Sequence, residues 1–225
     1  MGKCEQCIIK QCNALKSLSR EELVRISSCK TSRFIKKGDL LFDEGDAING
    51  IYCIRDGICK LTKLSANGKD QTIKMVMKGG LIGQRSLVSD ESSNLRATAL
   101  TDMKVCFIPK HEILFNLQIN PKFALSLLKT MAYDLKEADG IIVDMAQKSV
   151  KQRLAETLIY ISKKFDTNAD GAASLNISRE DYANIVGTAT ESVIRVLSQF
   201  KKQGLISTMG KYIKIEDMDG LRCVE

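Results

Sequence analysis

Between Ser32 and Pro109, glycines at positions 38, 45, 57, 68, 79, 80 and 83 cut the chain into short apolar-rich runs. The runs are Gly50–Ile54, Ile58–Leu64, Thr72–Met77 and Lys104–Ile108, none long enough for a packed helix. Turn signals that recur this often between short β-rich stretches predict an all-β barrel or roll. Ahead of it, Ser19–Ser28 reads as a short helix, with Ser19 as N-cap and Glu22 three residues on completing a capping box.

The period changes near Pro121. Leu128, Met131, Leu135, Ala138, Ile142 and Met145 recur at intervals of 3, 4, 3, 4 and 3. This is an a/d seam flanked by Lys129, Asp134, Lys136, Glu137 and Asp144. An amphipathic helix lying on its own barrel would show a similar stripe. The strict 3–4 alternation favours a helix that pairs with a second copy of itself, giving a twofold dimer. Gly140 and the acids Asp134, Asp139 and Asp144 weaken the seam, so the interface is expected to be marginal and easily switched.

Beyond Ser149, helix and short strand alternate. Val150–Phe165 reads as a helix, Thr167–Ser174 as a polar turn, and Ser178–Val186 and Thr188–Lys201 as two helices joined across Gly187. Two short helices around a tight Gly-containing turn form a helix-turn-helix, whose second helix enters the DNA major groove. Leu205–Ser207, Met209–Gly210 and Tyr212–Ile215 then form a small β-wing, and Gly204 suits the stop after the recognition helix. Glu191 and Arg195 lie four apart and share a face. Arginine can fork onto guanine O6/N7, and glutamate can accept from cytosine N4. Thr188-x-x-Glu191 is also a capping box, which would leave the glutamate serving only the helix start.

The predicted class is therefore α+β, divided as a cysteine-rich segment 1–18, a β-roll 19–120 (the sensor, on the resemblance described below), a dimerisation helix and hinge 121–148, and a winged helix-turn-helix 149–225. Net charge does not carry the case for DNA. Of the formal +7, residues 147–225 hold 12 Lys+Arg against 10 Asp+Glu, or +2, which leaves +5 elsewhere. No apolar run is long enough to span a bilayer, and Met1–Cys7 lacks the apolar core of a signal peptide, so no membrane partner and a cytoplasmic location are expected. In that compartment eight cysteines point to thiols, metal ligands or redox sensors rather than structural disulfides. Cys4-x2-Cys7-x4-Cys12 is compact enough for three thiolates to converge on one centre. Iron–sulfur, zinc, a dithiol switch and a merely solvated tail all remain open. His111 is the single histidine, and no nucleophile–base pairing or phosphate-cradling loop is legible, so catalysis is not expected.

Several motifs resemble one family. Gly38-Asp-Leu-Leu-Phe-Asp-Glu-Gly45-Asp and Ile54-Arg-Asp-Gly57-Ile-Cys-Lys-Leu61 look like the β-roll signature of the CRP/FNR transcription regulators. Ala97-Thr-Ala-Leu, then Ile185-Val-Gly-Thr-Ala-Thr-Glu-Ser-Val-Ile-Arg-Val-Leu, then Gly210-Lys-Tyr-Ile-Lys-Ile-Glu follow in the order of that family, and the likeness runs from about residue 4 to residue 220. The resemblance implies a homodimer that binds double-stranded DNA at palindromic TGA-type half-sites, with RNA polymerase as a further partner. Arg195 would take the guanine, Glu191 the cytosine, and Thr188, Thr190 and Ser192 would lie beside them. Arg179 and Lys211 would hold phosphates. Cyclic AMP is disfavoured: Gly83-Gln84 and Ser92-Ser93-Asn94-Leu95 lack the family's carboxylate for the ribose and its guanidinium for the phosphate, and Arg85 and Arg96 stand at other offsets. Another small anionic effector in the roll is the competing reading. The oxygen-sensing branch carries an N-terminal cysteine cluster and a fourth ligand in the last strand of the roll. Val105-Cys106-Phe-Ile-Pro109 resembles that strand, which implies a [4Fe–4S] cluster on Cys4, Cys7, Cys12 and Cys106, with zinc as the alternative. The Cys7–Cys12 spacing is one residue shorter than in the enteric pattern. Cys29, Cys53, Cys59 and Cys223 match no ligand position and read as packing.

Overall fold

A computed structural model describes residues 7, 13–65, 68–164 and 177–225, which fall into two compact units. The first is built from described residues of 1–64 and 73–137, the second from 65–72 and 138–225. The turn expected over Thr167–Ser174 lies outside the described residues, as do Cys4 and Cys12.

The first unit opens with a 3-10 turn, Ala14–Ser17, and helix α1, Arg20–Cys29. The capping box at α1 forms as the sequence predicts: the Glu22 N–H donates to Ser19 Oγ and the Ser19 N–H to Glu22 Oε2. Eight strands follow: β1 Thr31–Ile35, β2 Leu40–Phe42, β3 Gly50–Asp56, β4 Ile58–Leu64, β5 Asp70–Met77, β6 Leu81–Ile82, β7 Arg96–Ala99 and β8 Met103–Pro109. They form two four-stranded sheets, ordered β1-β8-β3-β6 and β2-β7-β4-β5. Helix α2, Gln84–Ser89, interrupts the roll between β6 and β7. Strand alternation sorts side chains into two cores. Ile54 of β3 and Met103 and Val105 of β8 join Phe42, Cys59, Ala97 and Ala99 in one. Ile51 and Cys53 of β3, with Cys106 and Ile108 of β8, point the other way. There they meet Ala14, Leu15, Leu23 and Ile26, together with Ile113 of α3, Lys110–Ile119, and Phe123 and Leu127 of α4, Pro121–Gln147. This second core seats Ala14, Leu15 and α1 against the last strand of the roll.

The second unit holds α5, Val150–Lys164, α6, Arg179–Val186, α7, Thr190–Lys202, the hairpin β9, Ile206–Met209, with β10, Tyr212–Ile215, and α8, Met218–Arg222. Val193, Val196, Leu197 and Phe200 give α7 an apolar stripe at i, i+3, i+4 and i+7, and all four are buried. Burying Phe200 completely contributes on the order of 1.5–3 kcal/mol. Tyr182, Ala183 and Val186 of α6, Leu154, Ala155, Leu158 and Ile161 of α5 and Leu221 of α8 are also buried in this unit. Gly187 ends α6 at φ +71, a left-handed conformation that a Cβ would disfavour, and that Cβ would also lie 3.0 Å from Met145 Sδ. Gly204, at φ +73, follows the Gln203 C-cap of α7.

Candidate nucleic-acid interface and thiol cluster

The helix-turn-helix forms with one local correction. Sequence spacing offered Thr188 as the cap of a box closed by Glu191, but α7 begins at Thr190 with Ala189 as N-cap and no side-chain capping bond. The Thr188 N–H, like that of Gly187, bonds to the Ala183 carbonyl and so belongs to the end of α6. Glu191 is therefore not spent on a cap. It is exposed, as is Arg195 one turn on, and Ser198 and Lys202 continue the same stripe on the face opposite the buried one. Ser198 and Lys202 escaped the sequence reading, although their i+7 and i+11 offsets from Glu191 would have placed them there. Thr188, Thr190 and Ser192 are half-buried beside that stripe. Lys211 is exposed next to Gly210 at the tip of the β9–β10 wing.

Arg179 starts α6, whose Ser178 cap accepts from the Asp181 N–H. It is half-buried, and its Nη1 is buried without a hydrogen-bond partner among the described residues. Burial pushes the neighbouring Tyr182 hydroxyl up to about 12, an effect the Arg179 charge partly offsets. A buried guanidinium nitrogen with an open valence is costly unless an acceptor arrives. Across the same unit, Arg153 of α5 donates from Nε to the Val186 carbonyl at 2.8 Å and from Nη1 to the Lys148 carbonyl at 2.6 Å and the Met145 carbonyl at 3.4 Å. One guanidinium thus satisfies carbonyls at the ends of both α4 and α6.

Along α4 the seam residues Leu128, Leu135 and Ile142 are exposed at 59%, 65% and 67%. Met131, Ala138 and Met145 are half-buried. Leaving three large aliphatic side chains uncovered on one stripe is unfavourable for an isolated chain.

In the roll, Gly83 at φ +93 precedes α2, and Gln84 is buried with Oε1 lacking a partner among the described residues. The Ser93 hydroxyl turns back to donate to the Leu95 carbonyl. Arg96 reaches Asp43 through Nε at 2.8 Å and Nη2 at 3.0 Å. These Arg96 hydrogen bonds, followed by the Glu44 N–H, hold the Asp43 carboxyl below the usual range. The Arg96 guanidinium is therefore already paired with a carboxylate.

The described thiols divide by face. Cys59 lies in the core between the sheets, where burial raises its thiol to about 12. Cys106 lies in the other core, with the Ser32 hydroxyl 3.6 Å from its sulfur, and half-buried Cys7 packs against the same cluster. Cys53 is also there, with the Asn13 amide donating to its sulfur at 3.5 Å and to the Gly79 carbonyl at 2.8 Å. Among the described residues no three His, Cys, Asp or Glu side chains gather to hold a metal by themselves. Two members of the expected ligand set lie outside those residues.

Comparison with known proteins bears on both units. Residues 32–120 match the cyclic nucleotide-binding domain, and residues 152–224 match the Crp-like helix-turn-helix domain. The anaerobic regulatory protein of Haemophilus influenzae is 31% identical over 222 residues, covering 97% of this chain and 86% of the relative. The fumarate and nitrate reduction regulatory protein of Vibrio cholerae is 30% identical over 216 residues, covering 94% and 86%. The solved structure of FixK2 from Bradyrhizobium japonicum superposes with a TM-score of 0.78 at 23% identity, covering 87% of this chain and 97% of that one.

Proposed function

This chain belongs to the CRP/FNR family of transcription regulators, and from that premise we propose that it is a homodimer whose DNA binding answers to an oxygen- or redox-labile iron–sulfur cluster on Cys4, Cys7, Cys12 and Cys106. It is a DNA-binding regulator with a helix-turn-helix, not an enzyme. One observation supports the sensing reading above the others: Cys7, near the start of the chain, packs into the apolar cluster that holds Cys106 of β8. The donors there are thiols, the soft ligands suited to iron–sulfur centres, though zinc accepts the same set. Relatives named for anaerobic regulation and for fumarate and nitrate reduction support the first choice. When bound, such a cluster supplies a centre that an oxidant can dismantle. The protein's own part is to hold two halves of a clasp. Cys106 is fixed by the β1-β8-β3 sheet, and Cys7 packs against the cluster that also holds Ala14 and Leu15.

At the DNA end, Arg195 forks onto guanine and Glu191 accepts from cytosine in a TGA-type half-site, with Thr188, Thr190 and Ser192 alongside. Arg179 and Lys211 meet phosphates. The seam Leu128, Met131, Leu135, Ala138, Ile142 and Met145 pairs with a second copy, so that two recognition helices meet half-sites about 34–36 Å apart. RNA polymerase is the further partner expected of such a regulator. A small anion in the roll is the weaker reading, because Arg96 is paired with Asp43.

The test is purification without oxygen, with iron, sulfide, zinc and visible absorption measured before and after air is admitted. A brown protein that bleaches in air while losing DNA affinity, and a Cys106→Ser variant without colour, are the expected results. A colourless chain after anaerobic reconstitution with iron and sulfide refutes the cluster, and stoichiometric zinc would replace it.

A further inference from the structure

Cys53 lies directly opposite Cys106. In the antiparallel pairing of β3 with β8 the register runs Tyr52↔Phe107, Cys53↔Cys106, Ile54↔Val105, and both thiols point into the same outer core. Residues directly opposite each other in an antiparallel pair have Cα atoms about 4.5–5.5 Å apart, whichever hydrogen-bonding class the pair belongs to. A disulfide needs a Cα separation of about 4.4–6.8 Å, a range that directly opposed residues satisfy. Cys59 shows that this placement is specific: its partner across β7 is Ala99, and it lies on the other face of the roll.

We propose that Cys53 and Cys106 form a redox-active dithiol, oxidised to an intramolecular disulfide by a small hydroperoxide when Cys106 carries no metal. One thiol attacks the peroxide O–O bond, taking one oxygen as a sulfenic acid and releasing the alcohol (water, for hydrogen peroxide). The second thiol then displaces that oxygen as water and forms the S–S bond. Two electrons pass from the sulfur pair to the peroxide, so two thiols and one hydroperoxide give one disulfide, one alcohol and one water. Oxidation uses the sulfur that the fourth-ligand role requires, so ligation and disulfide are exclusive fates of Cys106. The Asn13 amide, bonded to both Cys53 Sγ and the Gly79 carbonyl, places Asn13 beside Cys53. Both thiols are nearly buried, at 6% and 5% exposed, which restricts the oxidant to small molecules. The dithiol does not depend on a cluster being present, since the register alone sets the two cysteines opposite each other.

The experiment uses the full-length, metal-free, reduced chain, treated with hydrogen peroxide until about half its thiols are consumed, alkylated in denaturant, digested with trypsin and analysed without reductant. Cleavage after Lys37, Arg55, Lys104 and Lys110 puts Cys53 in peptide 38–55 and Cys106 in peptide 105–110. The expected result is a linked 38–55/105–110 species that separates on reduction, with Cys59 still alkylated. In Cys53→Ser, peptide 105–110 should remain free of that link. Finding both cysteines alkylated, or Cys106 joined instead to Cys4, Cys7 or Cys12, overturns the proposal. Because the link is read in the unaltered chain, a poorly folding variant does not blunt the test, and failure to hold iron leaves it unaffected.

Discussion

Replacing Arg153 with alanine removes one side chain from the ends of two helices. Its guanidinium donates to the carbonyls of Val186 at 2.8 Å and Lys148 at 2.6 Å, and more weakly to Met145 at 3.4 Å. Hydrogen bonds from a charged donor contribute about 1.5–3 kcal/mol each, so the two short ones amount to roughly 3–6 kcal/mol gross. Arg153 is half-buried, so water re-satisfies part of what is lost, and alanine avoids the entropy cost, up to ~2 kcal/mol, of holding an arginine in one rotamer. The net loss is about 2–3 kcal/mol. For a unit of this size each kcal/mol moves the midpoint by about 4–8 °C, so Tm of the C-terminal unit should fall by roughly 10–20 °C. Calorimetry of the full chain reads this directly, and DNA affinity should weaken as the α6 end loses its anchor. Arg153→Lys discriminates the cause, because an ammonium cannot fork between carbonyls of two helices. It should recover less than half of the loss. Full recovery with lysine, or an alanine variant whose Tm moves by less than about 3 °C, would refute the clasp.

Other perturbations address the remaining surfaces. Arg195→Ala should relax the preference at one base pair by about 1–3 kcal/mol, measured by binding to a panel of single-substitution sites. Arg179→Ala should weaken all sequences alike and lower the slope of log affinity against log salt by about 1, whereas a changed sequence preference would count against a phosphate role. Leu135→Asp combined with Ile142→Asp should convert the dimer to monomer in sedimentation and abolish cooperative half-site binding. The Asp43–Arg96 pair gives a signed pH effect. The folded Asp43 carboxyl lies below its usual range because of Arg96, so its contribution is present above the ordinary carboxylate pKa and lost as pH falls through the depressed folded value. Arg96→Ala should raise the Asp43 titration seen by NMR towards the ordinary range, with the Glu44 N–H keeping part of the depression.

What the amino-acid order determined by itself is what short-range contacts decide. Ser19 and Glu22 are three apart, and their reciprocal cap is present in α1. Strand Ile58–Leu64, the wing strand Tyr212–Ile215 and the 27-residue α4 follow from alternation, turn residues and the 3–4 seam. The same local logic erred at Thr188. A capping box can be spelled there, but the left-handed Gly187 commits the Thr188 N–H to Ala183, and α7 starts later. Everything that joins distant residues waited on tertiary structure. No spacing rule relates Arg153 to Val186, Arg96 to Asp43, or Cys7 to the core around Cys106. Cys53 is the sharpest case. Read along the chain it is an apolar-strand cysteine with no companion, and only the β3–β8 register puts it opposite Cys106. A slip of one residue would send it to the other face. That register is set by the packing of both sheet faces and the hairpins around them, a sum over many weak contacts that no single stretch of sequence contains.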